Sequence, residues 1–120
     1  AEIERRFLEH GGRTYEQGGI AFPREASGCH HVFNQFVVRV ARGRRDDLKE
    51  RLTNLRVGNA IYYPVPLHLQ ECFAYLGGKA GDFPVSEKAA TETLALPVFP
   101  ELTPAQKAFL AYHLAEFSKE

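Results

Sequence analysis

The sequence predicts an α+β fold, a small and mainly antiparallel sheet packed with helices. Three observations carry that expectation. Residues 31–40 hold Val32, Phe33, Phe36, Val37, Val38 and Val40, the β-branched and aromatic types that favour strands. Residues 46–55 then place Leu48, Leu52 and Leu55 on one helical stripe. A short apolar run at 60–63 follows, making a strand–helix–strand unit with further helices around it.

Each element has its own warrant. At the start, Ile3, Phe7 and Leu8 sit at helical spacing over 3–10, and Gly11-Gly12 stops the segment. This charged opening, in a chain without Met, reads as a piece of something longer. Residues 13–28 read as loop, with one short strand at 20–22. In the run 31–40, apolar residues fall on both faces, which predicts a central strand covered on each side. Asn34 and Gln35 interrupt it and require a partner, either a buried hydrogen bond or a ligand.

The 46–55 helix ends at Arg56-Val57-Gly58, where glycine suits a helix C-terminus. Pro64 and Pro66 forbid the 60–63 strand from continuing as a central ladder. Tyr62 and Tyr63 there send one ring to each side of an extended backbone, one to the core and one to a bend. Residues 67–76 read as a short helix closed by Gly77-Gly78, and 79–84 as loop. Ser86 caps a helix to about residue 94, with Val85 and Ala89 inward. Residues 96–100 form a short extended edge. Thr103-Pro104 opens the last helix, with Phe109, Leu110, His113, Leu114 and Phe117 as its apolar face.

Composition bounds the function. The 120 residues make one domain, and 44% hydrophobic content supplies a core. Lys+Arg 15 against Asp+Glu 15 leaves no net charge, which argues against nucleic acid and anionic membrane as partners. Arg39, Arg42, Arg44 and Arg45 cluster, but Asp46, Asp47 and Glu50 follow at once. A solvated strand-to-helix junction is favoured there over a phosphate or nucleotide contact. Two cysteines make no disulfide framework, and no apolar run resembles a signal peptide or a membrane span. A reduced, cytoplasmic protein follows by default.

Candidate chemistry is incomplete. Cys29 with His31, and His68 with Cys72, have spacings that could compose a Cys2His2 site, but not those of a recognised finger. No metal site is expected. Cys72 falls on a helix face expected to be buried, where thiols are usually inert. No serine has a nucleophile-elbow context, and Gly77-Gly78-Lys79 is not a phosphate loop. Glu71 and Asp82 could pair, as could any two of the 15 acids.

Five segments in order carry a resemblance: HVFNQFVVR at 31–39, RDDL at 45–48, IYYPVPLHLQ at 61–70, GDFPVSE at 81–87 and LALPVFPELT at 94–103. Over about residues 28–118 the chain resembles the C-terminal part of the DegT/DnrJ/StrS family of sugar aminotransferases. The resemblance implies a parent enzyme of fold type I using pyridoxal phosphate. It moves an amino group, usually from glutamate, onto a nucleotide-linked keto-sugar. It works as a homodimer with sites at the subunit interface. The parent carries a large seven-stranded domain and a smaller C-terminal α+β domain, which this chain resembles.

In that family the Schiff-base lysine and the acid facing the pyridine nitrogen lie in the large domain. None of Lys49, Lys79, Lys88, Lys107 and Lys119 sits in the lysine motif. The resemblance therefore implies that this chain binds no pyridoxal phosphate by itself and is inactive alone. What it implies here is substrate contact, first by Tyr62 and then by Tyr63, where relatives often have His followed by an aromatic residue. A phenol in place of imidazole keeps hydrogen bonding but has a far higher pKa, so an acid/base role does not carry over. Asn34 and His68 are further substrate-binding candidates, as motif members that are polar within apolar runs. Asn59 stands where relatives often have Thr. Two alternatives stay open: a dehydratase relative using the same cofactor, and a stand-alone binding or regulatory module. A broken-off piece would expose an apolar patch around Phe7, Leu8 and residues 62–67.

Overall fold

The computed structural model describes residues 2–120. Ala1, where the charged opening begins, lies outside them. The α+β expectation is met. Helices α1 (Glu2–Glu9), α2 (Arg45–Asn54), α3 (Pro84–Glu92) and α4 (Pro104–Lys119) surround strands β1 (Ile20–Ala21), β2 (Phe36–Val40) and β3 (Thr93–Leu96). The sheet has the order β1-β2-β3 and is antiparallel throughout. Ile20 pairs with Val40, and Phe36 pairs with Leu96.

The core is a single apolar cluster beneath one face of this sheet. Phe36, Val38 and Val40 of β2 alternate into it, while Arg39 points the other way and is exposed. The expectation of a strand covered on both faces is met only in part: α3 packs over the second face, where Val37 is half-buried and its partner Ala95 is buried, but Arg39 is not covered. Period-two geometry sends Arg39 to the open side, where Glu92 receives it. Leu48 and Leu52 of α2 and Leu114 of α4 are fully buried in this cluster. α1 packs on α4, and Phe7 meets Phe22 edge-on at 5.0 Å. Gly12 lies flat on the Phe7 ring, where a Cβ would stand 2.4 Å from Phe7 Cζ. The Gly11-Gly12 stop therefore also makes room for Phe7.

Several boundaries differ from the sequence reading. The main strand begins at Phe36 rather than His31, because Phe33 adopts φ 50°, outside any strand conformation. Its N–H donates to His31 Nδ1 at 2.9 Å and its ring stacks on His31 at 4.2 Å. The 60–63 strand reduces to one bridge, Ala60 to Ala95, since Pro64 and Pro66 lack the donors a ladder needs. The 67–76 helix is two 3-10 turns, Leu67–Leu69 and Glu71–Leu76, broken by an extended Gln70. β3 precedes the expected 96–100 edge because α3 starts at Pro84 and runs straight into it.

Faces differ too. Val85 is exposed, and Ala90 is the inward residue of α3. On α4, Leu110, Leu114 and Phe117 are buried as expected, whereas Phe109 is exposed. The arginine cluster is not uniformly solvated. Arg45 is buried, and its Nη1 donates to the carbonyls of Ala90 at 2.9 Å and Thr93 at 3.1 Å. Arg44 lies over the Phe117 ring at 4.2 Å. Phe7 belongs to the core, while Leu8, Tyr62, Tyr63, Val65 and Leu67 are exposed.

Candidate functional site

One end of the sheet opens into a groove of about 420 Å³. The residues leading into β2, the end of β3 and the 58–62 stretch converge there. Asn34, Gln35, Asn59 and Tyr62 supply its polar groups, and Phe36, Leu96 and Val98 its apolar floor. No charged side chain lines it. Such a wall recognises neutral hydroxyl, amide and ring groups rather than anions.

Each polar residue arrives by a different route. Asn34 and Gln35 are exposed just before β2, because the turn at Phe33 leaves them outside the ladder. They are not buried strand residues in need of a partner, as the sequence reading has it. Asn59 is held by the end of α2: its Nδ2 donates to Thr53 Oγ1 at 3.1 Å and to the Val57 carbonyl at 3.0 Å. Its Oδ1 is buried and, among the described residues, accepts no hydrogen bond. A buried acceptor without a partner is costly, so it marks where a donor would be rewarded. Sequence reading passed over Asn59 as a site residue. The glycine before it and the strand after it were visible, but the approach of Thr53 was not.

Tyr62 lines the groove and is half-exposed. The peptide between Tyr62 and Tyr63 is cis, and the two rings meet edge-on at 5.9 Å. Neither ring reaches the core, which corrects the expectation that one would: Tyr63 is 65% exposed. Of the sequence candidates, the structure brings Asn34 and Tyr62 together. Tyr63 adjoins the groove through the chain but is not in its lining.

His68 lies elsewhere. It lines a second, more apolar cavity of about 540 Å³ with Leu67, Phe73, Leu76 and Phe83. Its Nε2 is 2.8 Å from Glu87 Oε1, and its side chain is only 10% exposed. The same Glu87 oxygen accepts from the backbone N–H of Gly81 at 2.8 Å and of Phe83 at 3.4 Å. The His68 hydrogen bond, followed by that of Gly81, holds the Glu87 carboxyl below its ordinary pKa.

Other chemistry is not assembled. Cys29 and Cys72 are free and exposed, so Cys72 is not on a buried face: the 3-10 turn carrying it leaves it in solvent. Among the described residues no three His, Cys, Asp or Glu side chains gather as a metal site. No lysine lines the groove. Lys88, Lys107 and Lys119 pair with Glu92, Glu2 and Glu116. No described helix is long and apolar enough to cross a membrane.

The fold and groove define a small α+β unit with a neutral polar groove at one sheet end, and comparison with known proteins gives its family. Residues 12–112 match the DegT/DnrJ/EryC1/StrS aminotransferase family, and the chain belongs to that family. It is 44% identical over 98 residues to a protein of Geobacillus stearothermophilus named pleiotropic regulatory protein, covering 82% of this chain and 26% of that one. It is 39% identical over 92 residues to the UDP-N-acetyl-3-dehydro-alpha-D-glucosamine 3-aminotransferase of Acidithiobacillus ferrooxidans, covering 77% and 24%. Among solved structures, DesV of S. venezuelae in complex with a ketimine intermediate superposes with a TM-score of 0.83 at 28% identity, covering 98% of this chain and 30% of that one. The chain thus spans about a quarter of the length of the curated relatives it matches.

Proposed function

We propose that this chain is the small C-terminal domain of an aminotransferase acting on nucleotide-linked keto-sugars, and that its groove contacts the sugar end of that substrate. The observation that carries this reading is the convergence of Asn34, from the lead into β2, with Asn59 and Tyr62, from the 58–62 stretch, on one uncharged groove. A sugar ring presents hydroxyl donors and acceptors without charge, which carboxamides and a phenol match. The unpartnered Asn59 Oδ1 adds an acceptor on that wall. The diphosphate of such a substrate would need cations that this groove does not carry. Tyr63 stands at the rim of the same contact.

Family membership supports pyridoxal phosphate as cofactor, glutamate as amino donor and a homodimer as the working form. The residues here do not by themselves fit that cofactor. Its chemistry requires a lysine amine at the site, and no lysine lines the groove. The reading assigns the cofactor site to another region of a longer protein. A regulatory module is a second reading, favoured by the names of two relatives: the pleiotropic regulatory protein above, and a sensory transduction protein of Saccharopolyspora erythraea, 39% identical over 85 residues.

Steady-state kinetics of a Tyr62→Phe variant of the native gene product tests the proposal. Losing one neutral hydrogen bond should raise the KM for the nucleotide sugar roughly 3- to 10-fold and leave the KM for glutamate near its original value. Equal effects on both substrates would remove the case for a sugar contact. A native product without transamination would favour the module.

A further inference from the structure

The tyrosine stretch is suspended between two fixed points. On one side, Ala60 bridges Ala95 of β3, with N–H to carbonyl distances of 3.2 and 2.7 Å. On the other, His68 meets Glu87 in the first turn of α3. Between them lie 61–67, stiffened by Pro64 and Pro66, whose rings fix φ. The 3-10 turns Leu67–Leu69 and Glu71–Leu76 pack mainly on each other rather than on the sheet or helices. Ile61 packs against the core, but beyond it little apolar burial anchors this arm: Leu67, Tyr75 and Leu76 are all well exposed.

The polar contact is correspondingly well built. Glu87 Oε1 gathers His68 Nε2, Gly81 N–H and Phe83 N–H, so one oxygen ties the start of the arm, its return loop and α3 together. The Phe83 ring covers His68 edge-on at 4.9 Å. Gly78 packs directly on His68, where a Cβ would stand 2.7 Å from the His68 carbonyl oxygen. His68 is thereby shielded on the side facing the return loop.

We propose that His68 and Glu87 form a latch that positions Tyr62 at the groove, a role that rests on the groove being the substrate site. Neither residue lines the groove. They act through the proline-stiffened span, so both are positioning residues rather than catalytic ones. The arm's place relative to α3 then depends on the contacts gathered at Glu87 and His68 more than on core packing, and the latch sets the tyrosine without filling the groove.

Hydrogen exchange and kinetics on the native gene product, with His68→Leu, His68→Gln and Glu87→Leu variants, test this. Leucine removes the donor or acceptor, while glutamine at 68 keeps an N–H donor at similar reach. Loss of the latch should speed exchange at the Leu69, Gln70 and Gly81 amides on the order of tenfold, leaving β2 amides unchanged. It should also raise the KM for the nucleotide sugar while the amino-donor KM stays within about twofold. The His68→Gln variant should restore both. Unchanged exchange in the arm overturns the latch. Faster exchange spread into β2, or equal effects on both substrates, overturns the positioning role in favour of a general structural one. If the unaltered product turns over no nucleotide sugar, the functional reading fails, and arm exchange alone then decides the latch.

Discussion

Glu92 shows how a single charged residue is settled on the open face of the sheet. Its carboxylate accepts from Arg39 Nη2 at 2.7 Å and from the Tyr15 hydroxyl at 2.8 Å, and Lys88 is 3.8 Å away. Burial, the largest influence, pushes its pKa up. The Arg39 and Tyr15 hydrogen bonds, with the charges of Arg39 and Lys88, outweigh burial and leave the pKa below the ordinary carboxyl value. A folded-state pKa below the unfolded one means the unfolded chain binds the proton more tightly. The stabilisation is therefore complete above the unfolded-chain value and is lost as pH falls through the lowered one. Glu92→Gln should cost about 1 kcal/mol near neutrality, discounted because Arg39 is half-exposed, and should reduce the loss of stability on acidification. Urea midpoints across the acidic range would show it, and an unchanged pH profile would count against the network. The pairing was not legible in the chain, because Tyr15, Arg39 and Glu92 are far apart until the sheet forms.

At the scale of elements, α4 began where its start signal put it, whereas Ser86 is not the cap of α3: it lies inside that helix, whose N-cap is Phe83. Thr103 accepts from Gln106 N–H while Gln106 Oε1 accepts from the Thr103 N–H, so two end groups of α4 are satisfied. Thr103→Ala should cost about 1 kcal/mol, measurable by chemical denaturation, whereas Leu114→Ala should cost roughly 2–5 kcal/mol by leaving a cavity. A cap loss as large as the core loss would mean that α4 is held by its end rather than by its face. Three misread segments share one physical cause. Phe33, Ala60 and Gln70 belong to segments whose composition matches a strand or helix. There, a left-handed turn, two prolines and an extended link deny the backbone bonds that regularity requires.

For the whole molecule, exposed apolar side chains concentrate between residues 62 and 85, in the arm, its return loop and the start of α3: Tyr63, Leu67, Tyr75, Leu76, Phe83 and Val85 are all more than half exposed. A surface of that kind fits a domain covered by more protein, in keeping with relatives several times longer than the 120 residues here. The intact mass and visible absorption of the native gene product should therefore show a chain several times larger than this one, with a coloured cofactor attached. A colourless product of this size would end the aminotransferase reading and leave the module.

Local chemistry in the sequence was enough for the α+β class and for Leu48, Leu52, Leu110, Leu114 and Phe117 as inward residues of α2 and α4, and the order of its motifs was enough for the family. Those rest on side-chain periodicity, caps and motif order, which act over a few residues. Tertiary structure alone decided that Asn34, Asn59 and Tyr62 share a groove while His68 turns away to Glu87. It also decided that Arg45 is buried and Cys72 is not. Those outcomes depend on which backbone carbonyls, carboxylates and rings arrive from distant segments. A hydrogen bond spanning 19 residues, such as His68 to Glu87, leaves no periodic mark along the chain.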